Sequence, residues 1–314
     1  MKKLLYCAAA LAMTLFAGSC QRENLEPDQT NGKVTFTVEV PAELQTKAIA
    51  DGKNVDQLIY EVWLTKNKAQ KDLSKDATKL YQVNDAELKS DPNDNNIRKV
   101  TIELDLMNDQ NFTILFWAQV NKADPAYITD NLTGVTYAKA LDEYDSNDES
   151  LAAFYSSAYI VDGKHVDAMG KQIDSKVTLR RPFAQLNLGN DNPTPKYTIN
   201  VLKSDVKVTS VPTVFNVATK ETSEPQEISF QIADIPNDPK TLTVQDKPYD
   251  YVAMNYVFAG GDNVAVEYNI YTKIKGVNGE IDATVNNVVK NVPLKENYRT
   301  NIVGNLLTSK VDYQ

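Results

Sequence analysis

Few side chains in this 314-residue sequence have the types needed for chemistry, and their spacing narrows them further. One His, at position 165, and two Cys, at positions 7 and 20, cannot assemble a Cys/His zinc cluster, a Cys-His nucleophilic dyad or a disulfide between distant strands. His165 follows Asp162-Gly-Lys and reads as a solvated loop histidine. Asp91-Pro-Asn93-Asp94-Asn95-Asn96 sets oxygen donors at its first, third and fifth positions, as a calcium loop would. Its sixth and twelfth positions are Asn96 and Ile102, where Gly and Glu are needed. Asp145-Ser-Asn147-Asp148-Glu149 fails in the same way, at Ser150 and Ser156, so both stretches read as exposed turns. No Gly-rich phosphate loop, nucleophile elbow or His-Glu-x-x-His motif occurs. Paired carboxylates for glycoside hydrolysis remain open, because any acidic β-protein supplies many pairs. The reading is of a non-enzyme, with no catalytic, metal or cofactor-binding residue and no cofactor. With 33 Lys+Arg against 42 Asp+Glu and a net charge of -9, a nucleic-acid partner is also disfavoured.

The N-terminus carries a different kind of chemistry. Met1-Lys-Lys followed by Leu4 to Ala17 has the charged start, apolar middle and small-residue end of a secretory signal. Ala17-Gly18-Ser19-Cys20 looks like a bacterial lipobox, in which the Cys thiol is lipidated before cleavage in front of it. Cys20 is therefore the expected lipidation site, with residues 1–19 a signal peptide and residues 20–32 a lipidated tether. Loss of Lys2 and Lys3 takes the net charge from -9 to -11. Acyl chains contribute about 0.8 kcal/mol per buried CH2 and would anchor the body to a membrane without a spanning helix.

The elements that follow are mostly strands. Val34, Phe36, Val38 and Val40 alternate with Thr35, Thr37 and Glu39, and Val100, Ile102, Leu104 and Leu106 do the same. Val264 to Ile274 repeats the pattern, and Lys275-Gly-Val-Asn278-Gly279 supplies hairpin chemistry before Ile281 to Val289. Phe112 to Val120 is apolar on both faces and reads as a central strand. Helix is suggested only within Leu132 to Tyr159, where Ser146-Asn-Asp-Glu149 fits a capping box ahead of Leu151-Ala-Ala-Phe154-Tyr155. Many short strands without a βαβ rhythm indicate an all-β fold built of sandwiches. Length suggests two domains, divided near Arg180-Arg181-Pro182: residues 33–179, with the small helical insertion, and residues 180–314. The two arginines read as a solvated turn, with a protease site or an anion patch as the other options.

Lys33 to Val40, Pro41, and the loop Leu44-Gln-Thr-Lys47-Ala48-Ile-Ala-Asp51-Gly52 precede the Tyr-containing strand Leu58-Ile-Tyr-Glu-Val-Trp-Leu64. Together with the lipobox, Leu179-Arg-Arg-Pro-Phe-Ala-Gln-Leu-Asn187-Leu188 and Val292-Pro-Leu-Lys-Glu-Asn-Tyr298-Arg299-Thr-Asn301-Ile-Val-Gly304-Asn305-Leu306-Leu307, this order resembles the fimbrillins, the type V pilins of Bacteroidetes, and their fimbrillin-like relatives. The resemblance implies two transthyretin-like β-sandwich domains on a lipoprotein exposed at the cell outer membrane. It also implies assembly by strand exchange: a protease cuts behind the first strand, and the emptied groove takes a strand from the next subunit. Carried onto this sequence, the removable strand bears Val34, Phe36, Val38 and Val40, and the cut falls between Lys47 and Ala48. The implied partners are other pilus subunits, the outer membrane through the N-terminal lipid, and host or bacterial surface ligands. The opposing expectation is a permanent first strand with Lys47 in an ordinary loop, since this family more often has Arg at the cut. After Leu307-Thr308 only Ser309 to Gln314 follow, with Val311 and Tyr313 alternating, which is short for the C-terminal donor strand of polymerising members. That departure leaves three options: a tip or accessory subunit that receives without donating, a sequence that continues further, or a likeness that stops short of polymerisation.

An alternative is a surface glycan-binding lipoprotein for nutrient capture, with Trp63 and Trp117 stacking on sugars. Both lie inside strong strand patterns, so core packing is the expected role of their rings.

Overall fold

The computed structural model describes residues 31–41, 52–191, 198–237, 239–260, 264–276, 279–307 and 310–313. The signal, Cys20 and most of the tether, together with Lys47 and Ala48, lie outside the described residues. The chain runs through β1 (Asn31–Val40), β2 (Gln57–Thr65), β3 (Ala77–Glu87), β4 (Lys89–Asp91), β5 (Asp94–Met107) and β6 (Asn111–Gln119). Three short strands follow, β7 (Tyr127–Ile128), β8 (Val135–Tyr137) and β9 (Tyr144–Asp145), then β10 (Ala153–Val161), β11 (Lys164–Val166) and β12 (Lys176–Thr178). The remainder is β13 (Phe183–Asn190), β14 (Thr198–Phe215), β15 (Thr222–Asp234), β16 (Thr241–Val244), β17 (Lys247–Phe258), β18 (Val264–Gly276), β19 (Gly279–Val292), β20 (Tyr298–Asn305) and β21 (Lys310–Tyr313). The protein is nearly all β.

Four sheets form, in the orders β12-β1-β5-β4, β11-β10-β6-β2-β3, β16-β17-β13-β20-β21 and β19-β18-β14-β15-β9, with β8 joined to the end of β14 and β7 to β8. Phe36 of the first sheet meets Phe116 of the second, ring centroids 6.1 Å apart. In the other pair of sheets the buried Ser204 hydroxyl of β14 donates to the Val252 carbonyl of β17 at 2.8 Å. One hydrophobic core runs through both pairs. Its aromatic centre includes Trp117 of β6 against Phe183 of β13 (6.5 Å) and Tyr127 of β7 against Phe258 of β17 (5.9 Å). The short strands β7 to β9 carry residues of the first half onto the fourth sheet.

Several expectations hold. β6 lies in the middle of the second sheet with nearly every side chain buried, as its two-faced apolar pattern requires. β18 and β19 pair antiparallel up to Gly276 and Gly279, where the Asn-Gly signature falls. Asp91 to Asp94 turns between β4 and β5, with the Asp91 carboxylate accepting from the Asn93 N–H at 2.8 Å.

The helical insertion does not form. Glu149–Leu151 is a single 3-10 turn, and Asp148 rather than Ser146 caps it, accepting from the Ser150 N–H at 2.8 Å. From Ala153 onward the chain is β10, paired with β6 along its whole length. Its residues are buried on both faces, so apolar periodicity could not separate helix from strand, and the ladder with β6 decides the outcome.

Candidate interface: the first strand and its seat

β1 is built by simple alternation. Val34, Phe36, Val38 and Val40 turn inward, exposed by 6% or less, while Lys33 and Thr35 face water. Its ladder with β5 is antiparallel and unbroken, from Asn31 opposite Met107 to Val40 opposite Arg98. Inward side chains meet Ile102, Leu104 and the rings of Phe116 and His165. Four buried apolar side chains at about 1.5–3 kcal/mol each contribute roughly 6–12 kcal/mol, an upper bound before chain entropy. Gly52, the first described residue after the loop, has a φ of 74°, and a Cβ there would sit 2.9 Å from a Val40 methyl. The glycine of Asp51-Gly52 thus allows the returning chain to cross the end of β1.

Among the described residues the other edge of β1 is paired over three residues, by the parallel strand β12. Thr37 N–H donates to the Ser175 carbonyl at 3.0 Å, and Leu179 N–H to the Glu39 carbonyl at 2.8 Å. An ion pair joins β1 to each of its two neighbours, β12 and β5. Glu39 meets Lys176 at 2.6 Å and raises the lysine pKa, and Lys33 meets Glu103 at 2.6 Å. Both lysines are exposed, so such pairs fix register more than they stabilise.

His165 is not a solvated loop residue. The turn ends at Asp162-Gly163, both with positive φ, and β11 begins at Lys164. His165 is 9% exposed, lies edge-on to Phe36 with centroids 5.0 Å apart, and pairs through Nδ1 with the Asp174 carbonyl. Burial lowers its pKa below the ordinary 6.5, against a smaller upward pull from Asp174.

The arginine pair is only half solvated: Arg180 is exposed as expected, and Arg181 is buried. Arg181 is 3% exposed and its guanidinium lies 4.7 Å from the Phe154 ring centroid. Arg180 exchanges backbone hydrogen bonds with Tyr155 (2.8 and 3.0 Å), which draws both side chains onto the aromatic residues of β10. Its Nε donates to the Tyr155 hydroxyl at 2.9 Å and pairs with Glu296 at 3.0 Å, while that hydroxyl donates to Glu296 at 2.5 Å. Burial, then Glu296, pushes the Tyr155 pKa up.

One polar site escaped sequence reasoning. Glu61, fully buried on β2, accepts from Lys79 Nζ (2.9 Å), Trp63 Nε1 (2.8 Å) and the Leu132 N–H (3.0 Å). An acidic residue inside the apolar run Leu58 to Leu64 was its signal. The tryptophans have structural surroundings: Trp117 is fully buried, and the Lys79 ammonium lies 5.6 Å from the Trp63 ring centroid. Among the described residues no cluster of His, Cys, Asp and Glu could hold a metal, and no helix is long and apolar enough to cross a membrane.

At the C-terminal end, β21 pairs antiparallel with β20 on the edge of the third sheet, Ile302 opposite Tyr313 and Asn305 opposite Lys310. A family model matches residues 27–314. The chain belongs to a family of unknown function (DUF6562). No curated protein matches it. Among solved structures, this DUF6562 chain is similar to a fimbrial assembly protein from Parabacteroides distasonis, at 11% identity, with 90% of this chain and 98% of that one covered and a TM-score of 0.40. It is similar to the C-terminally truncated tip fimbrial protein Mfa3 from Porphyromonas gingivalis, at 11% identity, 90% and 98% coverage and a TM-score of 0.41. A candidate polysaccharide-binding protein (DUF1812) from Bacteroides thetaiotaomicron gives 10% identity, 87% and 90% coverage and a TM-score of 0.45.

Proposed function

We propose that this chain is a fimbrillin-like pilus subunit with a structural and adhesive role, anchored at the outer membrane through lipid on Cys20. It has two domains divided near residue 180, and it assembles by protease-triggered exchange of β1. One observation carries the reading: β1 supplies a complete ladder and four core side chains, yet it is joined to the rest of the described fold through a single connection, between Pro41 and Gly52. That connection contains Lys47-Ala48. A cut there turns a covalent strand into a bound peptide, and its departure leaves a groove lined by Ile102, Leu104 and Phe116 with the backbone edge of β5 open. Strand addition to such an edge takes its direction from main-chain pairing and its specificity from alternate pockets. Keeping β1 in place until the chain reaches the surface also protects that edge from premature pairing.

The test is limited trypsin digestion of residues 21–314, which contain every described strand, followed by N-terminal mass and oligomer size. The reading expects selective cutting after Lys47 and, once β1 is displaced, uptake of an added donor peptide. Cutting spread over many sites, or a cut form that binds no such peptide, overturns it.

A further inference from the structure

The fourth sheet ends on β19, whose inner side pairs with β18 and whose outer side has no strand partner among the described residues. Residues 283–289, Ala-Thr-Val-Asn-Asn-Val-Val, carry no charge, Pro or Gly, while Glu280 and Asp282 stand before them and Lys290 after. An uncharged, β-prone run on an open edge is the composition that templates further pairing.

The two faces of this strand differ. Ile281, Val285 and Val289 lie beside Ile274, Ile270 and Val266 of β18, and Val289 belongs to the hydrophobic core. Ile281, at the rim of that row, is 65% exposed. Asp282, Thr284, Asn286, Val288 and Lys290 face solvent. The straight stretch is bounded by Gly279 at one end. At the other, Asn291 has a φ of 59° where the register with β18 shifts, so a bulge ends the flat edge after Lys290.

From this geometry we infer that β19 is a homotypic docking edge, which pairs antiparallel with β19 of a second copy about a two-fold axis at Val285. Only alternate residues of an edge turn their N–H and C=O outward, so a two-fold register must oppose residues of equal parity. Centring on Val285 does this and uses the whole flat stretch from 280 to 290. It sets Glu280 opposite Lys290 of the second copy at both ends, with Asp282 diagonal to the same lysine. On the core-facing side Ile281 meets Val289, and Val285 meets its counterpart, which continues the apolar row from one molecule into the next. Parallel in-register pairing would stack like charges instead. Centring on Asn286 would place Ile281 against Asn291 at the bulge. The charges and the apolar row are therefore complementary to a second copy of the same strand.

The test is sedimentation equilibrium on uncut residues 21–314, in which strand exchange through the Lys47 loop has no part. A single strand pair is a small interface, so a transient dimer with a Kd on the order of 100 µM is expected, weakening with salt. E280K and K290E each weaken self-association at least about tenfold, because each sets like charges opposite one another. Mixing the two variants restores dimerisation, since the E280K copy then offers only lysines and the K290E copy only carboxylates at the paired ends. A misfolded variant could not produce that recovery. A wild-type chain that stays monomeric up to roughly 1 mM overturns the inference. So do variants that associate as the wild type does, or a mixture no stronger than its components.

Discussion

Phe36 of β1 packs edge-on against His165 of β11, with ring centroids 5.0 Å apart and planes at 79°. The sole imidazole of the chain is thus part of the first strand's seat, and burial holds its folded pKa below the unfolded value near 6.5. The unfolded chain then binds the proton more readily. Stability from this group is complete above about pH 6.5 and is lost as pH falls from there through the folded pKa. Thermal melts at pH 7.5 and pH 5 should show a drop in the wild type that is smaller in His165→Asn. An equal drop in both would assign the acid sensitivity to carboxylates instead.

Phe36 itself should be the costliest truncation on β1. It is fully buried between two aromatic neighbours, so Phe36→Ala is expected to cost about 3–5 kcal/mol in urea unfolding of the uncut chain. Thr35→Ala, on the solvent side of the same strand, should change stability by less than about 0.5 kcal/mol. Similar losses for the two variants would show that β1 is held by backbone pairing alone.

Much of this seat could be read from the sequence, because period-2 alternation fixes which side chains of β1 and β5 turn inward. The departures share a cause. Phe154 and Tyr155 belong to an apolar run buried on both faces, so the pattern could not distinguish helix from strand, and pairing with β6 decided it. His165 and Arg181 are polar residues beside turn signals, and such signals place a turn without showing what packs over the next residue. Asp162-Gly163 was legible as a turn; the approach of Phe36 from another sheet, more than a hundred positions away in sequence, was not. Glu61 was visible as an acid in an apolar strand, but its partner Lys79 comes from the neighbouring strand in a ladder that shifts register between Val62 and Trp63.

Glu296 ties the Arg180 junction to β10 by accepting from the Tyr155 hydroxyl and forming an ion pair with the Arg180 guanidinium. Glu296→Ala leaves a buried phenol without its acceptor and should cost about 1–3 kcal/mol, read from chemical denaturation. Tyr155→Phe removes that donor while keeping the ring against Phe215 (4.6 Å), so the double variant should lose little more than Glu296→Ala alone. Additive losses would mean that the two groups act separately.

The groove left by β1 should select its occupant by side-chain phase. A peptide of residues 31–41, added to the cut chain from which β1 has been displaced, should restore the melting temperature, because its inward row reproduces Val34, Phe36, Val38 and Val40 against Ile102 and Leu104. The same peptide carrying Phe36→Ala should bind about a hundredfold more weakly, since a loss near 3 kcal/mol corresponds to roughly that ratio. A peptide with the apolar and polar positions exchanged presents threonine and charge to the core, and any register that returns apolar groups inward must shift by one residue and reverse which backbone groups face β5. It should not bind measurably by calorimetry. Equal binding of the matched and exchanged peptides would show that the edge accepts any extended chain, and strand exchange through this groove would then have no side-chain selectivity.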